Sequence, residues 1–164
     1  KAFVDGGSKA GFAVAAVDVL RQNSADDGII QLDFISGAKK TEGWKERHAE
    51  RMYEEVRRRS NDVNTISNYT GISKEEIESI KNHMFFNEYD LGDGIKRRFD
   101  ADYEQIQAWD RLTQGKFTDT DLLLLKHEYM ESQLMSKGMT YEEAHLETNK
   151  KYNWWRAVQM MKGD

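Results

Sequence analysis

Two residue types are missing from this sequence: among its 164 residues there is neither cysteine nor proline. Without cysteine the chain forms no disulfide bond and no zinc–thiolate site, so any transition metal would need histidine and carboxylate ligands. Without proline, its turns depend on glycine, asparagine and aspartate. This composition favours a protein made mostly of helices.

Basic charge and long apolar runs are also scarce. Lys and Arg number 24 against 29 Asp and Glu, which gives a net charge of −5. This balance argues against a broad basic surface for nucleic acid, but it does not exclude a local cleft that engages RNA. The longest apolar run, residues 11–20, is interrupted by Asp18 and is shorter than the ~20 residues of a membrane span. We therefore expect no membrane-spanning helix and no membrane partner.

The chain divides at residue 43 into two unlike parts. Residues 1–43 are rich in Gly, Ala and Val, with one predicted strand at 29–35, and we interpret them as a linker or delivery segment. Residues 44–164 carry apolar side chains at helical spacing, which predicts an α-helical domain of about five to six helices. The expected fold class is mainly α, with a small irregular or β-containing N-terminal segment. Because the sequence starts with Lys1, we interpret it as an internal piece of a longer protein.

Capping signals predict where several helices begin. Ser73 with Glu76 forms a capping box that begins a helix reaching about residue 85. Thr140 with Glu143 forms another, which begins a last helix predicted to run nearly to the C-terminus. Between them, the polar stretch 87–100 is predicted to turn and is compatible with a small hairpin.

The helix predicted for 118–136 carries a histidine on its apolar face. His127 falls on one stripe with Leu123 and Met130, so that its ring should point towards the core. A buried imidazole without a partner is unfavourable. We therefore expect His127 to be hydrogen-bonded or bound to a metal.

Two acids and a second histidine are expected near this ring. Glu131 follows His127 by one helical turn, where the two side chains can make contact, whereas Glu128 lies further round the helix. If the short turn after residue 136 makes the last two helices antiparallel, His145 faces His127 from the neighbouring helix.

This arrangement has three interpretations. A metal site of His127, Glu131 and His145 is chemically sound, since two imidazoles and a carboxylate commonly bind zinc. The sequence departs from the zinc-peptidase pattern H-E-x-x-H, because Glu131 stands where the second histidine would be. A purely structural histidine pair is the second interpretation, and acid–base chemistry is the third.

The acid–base interpretation requires no metal or other cofactor. His127 and His145 would transfer protons during RNA cleavage, with Glu131 or Glu128 as the orienting carboxylate. A cation to stabilise the phosphorane would come from Arg97 or Arg98.

The other two histidines have less specific surroundings. His83 is near the end of its predicted helix, where a C-terminal cap or an edge-of-core contact is favoured over a catalytic role. His48 lies one turn from Trp44 and is predicted to be half-exposed.

Four ordered stretches carry a resemblance to a known kind of module. They are "HAERMYEEVRRRSNDVNTISNYTGISKEEIESIKNHMFF", "RRFDADYEQIQAWDRL", "LLLLKHEYMES" and "GMTYEEAHLETNKKYNWW". Together they resemble a helical module at the C-termini of phage minor head (head morphogenesis) proteins and at the tips of bacterial polymorphic toxins. The resemblance covers about residues 44–155, and Ala101 stands where that pattern has proline.

The resemblance implies an effector domain that is exchanged between carriers, often a nuclease, and is sometimes matched by an immunity protein. Such a domain would act in the cytoplasm of a target bacterium after delivery within a larger secreted or phage-borne protein. The positions that match the pattern are His48, His83, His127, Glu128 and His145.

The leading hypothesis is therefore a toxin-like effector that hydrolyses nucleic acid, RNA first, by histidine acid–base catalysis. A zinc-dependent hydrolase that uses His127, Glu131 and His145 is one alternative. A non-enzymatic phage structural or protein-interaction module is the other.

Overall fold

The computed structural model describes residues 43–163. The strand predicted at 29–35 and the rest of the segment up to residue 42 lie outside the described residues. Within the described range the chain forms seven α-helices, a π-helical turn and a two-stranded antiparallel sheet, which confirms the mainly α class. The helices are α1 (Trp44–Arg58), α2 (Asp62–Thr70), α3 (Lys74–Lys81), α4 (Tyr103–Gln114), α5 (Asp119–Ser136), α6 (Tyr141–Lys151) and α7 (Trp154–Lys162). The π turn (Asn82–Phe86) continues α3. The strands β1 (Tyr89–Asp90) and β2 (Lys96–Arg97) form a small hairpin within the stretch 87–100, where the sequence allowed one. From residue 43 to 163, none of the helices has the length and apolar character that crossing a membrane requires.

The main core is built around a cluster of three aromatic rings between α1, the π turn and α4. The ring of Phe85 lies 4.7 Å from that of Tyr53 and 5.2 Å from that of Trp109, measured between centroids, and all three are at most 1% exposed. Burial raises the pKa of the Tyr53 hydroxyl well above its ordinary value, and this group donates a hydrogen bond of 2.9 Å to Gln105 Oε1. These ring contacts fix the π turn against α1 and α4.

A buried ion pair joins the start of α2 to the end of α3. Lys81 Nζ lies 2.7 Å from Asp62 Oδ1 and also donates to the backbone carbonyl of Arg59 at 2.9 Å. The second carboxylate oxygen of Asp62 accepts a hydrogen bond of 3.1 Å from Trp109 Nε1. With the Asp62 side chain only 2% exposed, this pair ties the α2–α3 hairpin to the core.

The start of α5 is fixed by a capping box. Thr118 Oγ1 accepts from the Asp121 amide, and the Asp121 carboxylate accepts from the Thr118 amide. The same carboxylate accepts two hydrogen bonds from Arg111, of 2.8 and 2.9 Å. This bidentate contact sets α5 relative to α4.

The C-terminal region differs from the prediction of one unbroken helix. The helix stops at Lys151, and a new helix starts after Asn153, whose side chain accepts from the Arg156 amide. The break leaves the carbonyl of Tyr152 outside a helix, where it accepts a hydrogen bond from His127. The prediction was wrong because this contact is tertiary and leaves no local signal.

Two glycines that end helices offer a matched test of backbone strain. Gly71 and Gly115 have φ angles of 79° and 72°, but a Cβ at Gly71 would meet open space, whereas one at Gly115 would lie 2.8 Å from Tyr69 Cε1. We expect Gly71→Ala to destabilise the protein by about 1 kcal/mol. Gly115→Ala should lower the free energy of unfolding by roughly 0.5–1 kcal/mol more than Gly71→Ala does, because the Tyr69 ring must rotate away. Urea unfolding measures the loss of stability in each variant. Equal losses in the two variants would contradict this account, and so would a difference that persists when Tyr69 is replaced by alanine.

Candidate metal centre

Five polar side chains meet in the interior between the π turn, α5 and α6. His83 comes from the π turn, His127, Glu128 and Glu131 come from α5, and His145 comes from α6. Each of these residues has at most 6% of its surface exposed. Ionisable groups are rarely buried so deeply unless they are paired or bind a metal. We call these five residues the His–Glu cluster.

Glu131 is the centre of this cluster. Its Oε1 accepts a hydrogen bond of 2.8 Å from His83 Nε2, and its Oε2 accepts one of 2.8 Å from His145 Nδ1. His127 Nε2 lies 3.3 Å from the same Oε2 but makes no hydrogen bond. Three imidazoles from three elements therefore surround one carboxylate.

In its neutral form, His127 presents a lone pair to this carboxylate. Its Nδ1 lies 2.7 Å from the carbonyl oxygen of Tyr152, and because a carbonyl only accepts, the Nδ1 proton must point there. In the neutral ring Nε2 is then an acceptor, and it faces another acceptor, Glu131 Oε2. Metal-binding histidines usually donate their other N–H to a carbonyl in this way. A cation between the two atoms would turn the repulsion into coordination.

The surroundings of His145 also allow this ring to present a lone pair to the cluster. Its Nε2 lies 3.2 Å from Asn149 Nδ2, while the buried Asn149 Oδ1 has no hydrogen-bond partner. Rotating the Asn149 amide by 180° would let Oδ1 accept a hydrogen bond from a protonated Nε2. His145 Nδ1 would then carry a lone pair directed at the cluster, and the orphaned Oδ1 would be satisfied.

The Tyr89 hydroxyl can form a hydrogen bond with either tautomer of His83. Its Nδ1 lies 2.8 Å from the hydroxyl oxygen of Tyr89, which also accepts from Asn87 Nδ2 at 3.0 Å. A hydroxyl can donate to Nδ1 or accept from it. The Nε2 atom of His83 is therefore able to carry a proton or a lone pair without loss of the Tyr89 contact.

The spacing of the polar atoms suits a transition metal. Two sets of three residues, His127–Glu131–His145 and His83–Glu128–Glu131, each offer ligand atoms that all lie within 4.8 Å of one another. Ligands at the usual 2.0–2.2 Å from a tetrahedral zinc are about 3.4 Å apart. The separations of 3.3 Å between His127 Nε2 and Glu131 Oε2, and of 3.6 Å between His83 Nε2 and Glu128 Oε1, are close to this value.

An aromatic layer covers one side of the cluster. Tyr89 and Phe99 pack on the ring of His83, and Tyr141 stacks on that of His145 with centroids 5.3 Å apart. Burial, followed by the charges of Glu131 and Glu128, raises the pKa of the Tyr141 hydroxyl far above its ordinary value, so this group stays protonated.

A cleft of about 500 Å³ lies on the outer side of this layer. Tyr89 and Tyr141 line it together with the hairpin and the α5–α6 turn. Its charged lining residues are Lys96 and the acids Glu88, Asp90 and Glu142. The cleft gives a ligand a route to within one aromatic layer of the His–Glu cluster.

The structure brings most of the sequence-predicted residues together and corrects two details. His127 and His145 face each other, with ring centroids 5.3 Å apart, and Glu131 contacts both. His83 is not a cap or an edge contact, because it is fully buried and bonded to Glu131, which is 48 positions away. Glu128 is also fully buried, although helical spacing placed it away from the core.

The remaining predicted residues lie elsewhere. His48 is partly buried and packs on Tyr103, with ring centroids 5.8 Å apart. Arg97 forms ion pairs with Asp93 and Asp100, and Arg98 donates to the carbonyl of Phe86. Neither arginine is among the residues that line the cleft, where Lys96 supplies the positive charge.

Comparison with models of protein families, with curated proteins and with solved structures finds no match for this chain.

Proposed function

We propose that residues 43–163 form a toxin-like hydrolase domain in which His127, His145 and Glu131 bind a divalent transition metal, zinc first. The observation that carries this proposal is the buried Nε2 of His127, which has no hydrogen bond and faces a carboxylate oxygen at 3.3 Å. Two imidazoles and one carboxylate leave a fourth position for water or substrate, as in catalytic zinc sites.

The chemistry available to such a centre is hydrolysis. A bound divalent metal lowers the pKa of a coordinated water to about 7 and polarises the bond under attack. Tyr141 keeps its proton beside the site and forms part of the wall between the cluster and the cleft. The aromatic layer keeps bulk water away from the metal ligands.

Nucleic acid is the first substrate class to test, with RNA before DNA. The resemblance of residues 44–155 to phage-borne and polymorphic toxin modules supports this choice. In that setting the domain acts in the cytoplasm of a target bacterium, after delivery as part of a larger protein, and meets a cognate immunity protein. Induction inside a bacterial host should then stop growth, and inactive cluster variants should not.

Metal analysis of protein purified without a polyhistidine tag tests the metal proposal. We expect at least about one equivalent of metal after reconstitution with zinc, and the loss of one equivalent in His127→Gln. The matched control is His48→Gln, which changes a histidine outside the cluster and should leave the metal content unchanged. Less than ~0.2 equivalents in the wild type, with no gain on reconstitution, would rule the metal site out.

A second candidate is a metal-free nuclease, favoured by the facing rings of His127 and His145 with Glu131 bonded to one of them. The two candidates differ in their response to chelation. Cleavage of RNA by chelator-treated protein would favour acid–base catalysis by the histidine pair, whereas cleavage only after metal is restored would favour the first candidate. Intact RNA and plasmid under both conditions, with harmless expression, would favour a non-enzymatic structural or interaction module.

A further inference from the structure

We propose that the His–Glu cluster binds two metal ions, with Glu131 bridging them, and that its substrate is anionic. The first ion is the one held by His127, His145 and Glu131, so this inference rests on the proposed function. The second is held by His83, Glu128 and the other oxygen of Glu131.

The two oxygens of Glu131 already face different partners. Oε2 points to His127 and His145, at 3.3 and 2.8 Å, whereas Oε1 points to His83, at 2.8 Å. A carboxylate arranged in this way can give one oxygen to each of two metals, as in hydrolases whose metals lie about 3.5–4 Å apart. One shared residue thus belongs to both of the ligand sets that the described residues provide.

The second set meets the requirements of a metal site independently of the first. His83 and Glu128 are fully buried, and their nearest polar atoms, Nε2 and Oε1, are 3.6 Å apart. That separation is close to the distance of about 3.4 Å between ligands of one tetrahedral metal. Tyr89 can hold the Nδ1 proton of His83, which leaves Nε2 free to coordinate.

The two sites differ in ligand chemistry and should fill in order. The first offers two imidazoles and one carboxylate, which favour zinc and related metals. The second offers one imidazole and two carboxylates, and its larger share of oxygen favours harder ions such as Mn²⁺. We therefore expect the first site to bind zinc more tightly and the second to accept Mn²⁺.

The charge of a filled cluster indicates the class of substrate. Two divalent ions bring more positive charge than Glu128 and Glu131 can cancel, and the three histidines are neutral when they act as ligands. The excess remains positive even after one bound hydroxide is added. In a site this deeply buried, such an excess is best balanced by a negatively charged substrate, for which a phosphodiester is the natural choice.

Metal titration of the tag-free apoprotein tests the inference without an activity assay. Isothermal titration with Zn²⁺, followed by Mn²⁺ added to the one-zinc protein, should give two equivalents in all. Glu128→Gln and His83→Gln should each reduce the total to one, while His48→Gln keeps two. With Co²⁺ in both sites, electron paramagnetic resonance should show magnetic coupling between the ions, because a bridging carboxylate joins them.

The outcomes separate this inference from the proposed function. A wild type that stops at one equivalent, or two uncoupled Co²⁺ ions, overturns the binuclear centre and leaves the single metal standing. No bound metal at all overturns both. Circular dichroism of Glu128→Gln and His83→Gln checks that they fold. If a variant does not fold, the number of equivalents bound by the wild type still decides the inference.

Discussion

Replacing Glu131 with glutamine is expected to remove metal binding from the protein and to destabilise it even without metal. The carboxylate accepts one hydrogen bond on each oxygen, from His83 and from His145, and it belongs to both ligand sets. In Glu131→Gln the charged acceptor becomes a neutral amide, so both hydrogen bonds lose their charge assistance even when His83 changes tautomer and accepts from the new NH₂ group. Charge-assisted hydrogen bonds contribute about 1.5–3 kcal/mol each and neutral ones about 0.5–1.5 kcal/mol, so we expect a loss of roughly 2–3 kcal/mol in the apoprotein.

Urea unfolding of apoprotein and metal analysis of reconstituted protein measure the two parts of this result. Glu142→Gln is the matched control, since Glu142 is an exposed acid at the cleft rim and should change neither quantity. Full metal content in Glu131→Gln would contradict a metal centre built on Glu131. An unchanged free energy of unfolding would mean that the carboxylate adds nothing to the apoprotein.

Removing the buried carboxylate of Asp62 is the second large effect that we expect. Asp62→Ala leaves the Lys81 ammonium, whose side chain is 8% exposed, with only the Arg59 carbonyl as an acceptor, and it also removes the acceptor for Trp109 Nε1. Breaking one side of a buried ion pair typically destabilises a protein by about 3–5 kcal/mol. Urea unfolding of the variant should show a loss of that size.

The matched control removes both charges together. In Asp62→Leu/Lys81→Met no uncompensated charge remains, so most of the lost stability should return, although Trp109 Nε1 still lacks its acceptor. A double variant as unstable as Asp62→Ala would show that the charge left on Lys81 is not the cause. A loss below about 1 kcal/mol in Asp62→Ala would show that the ion pair contributes little to the fold.

Helix borders were predictable where the signal is local. The capping signals at Ser73 and Thr140 lie within four residues of chain, and both helices begin there. Thr140 and Glu143 form the complete box, whereas at Ser73 only the bond from the Glu76 amide to the Ser73 side chain is made. The box at Thr118 was missed because its partner is Asp121 rather than the usual Glu or Gln. The break at Tyr152 was missed because it serves a contact with His127, which is 25 positions away.

The candidate site, like the helix borders, was predictable only where its residues lie close together in the sequence. Helical spacing related His127 to Glu131, and a short turn brought His145 opposite them, so this half of the cluster follows from residues 127–145 alone. His83 enters from a π turn, and the helical period of 3.6 residues does not describe such a turn. Glu128 was not predicted to lie in the interior, because that placement depends on His83, which binds the other oxygen of Glu131.

The π turn at Asn82–Phe86 also provides a marker for comparing related chains. A π turn holds more residues than a regular α turn, so a chain one residue shorter at this point can continue as ordinary α-helix. Because the wide turn holds an extra residue for about the same rotation, such a deletion would leave the side chains before and after it on their original faces. If the deleted residue is His83, Glu131 loses this partner while Phe85 keeps its place between Tyr53 and Trp109. In an alignment, a single gap between positions 81 and 86 that removes the histidine would therefore identify homologues that keep the fold but have lost this half of the centre.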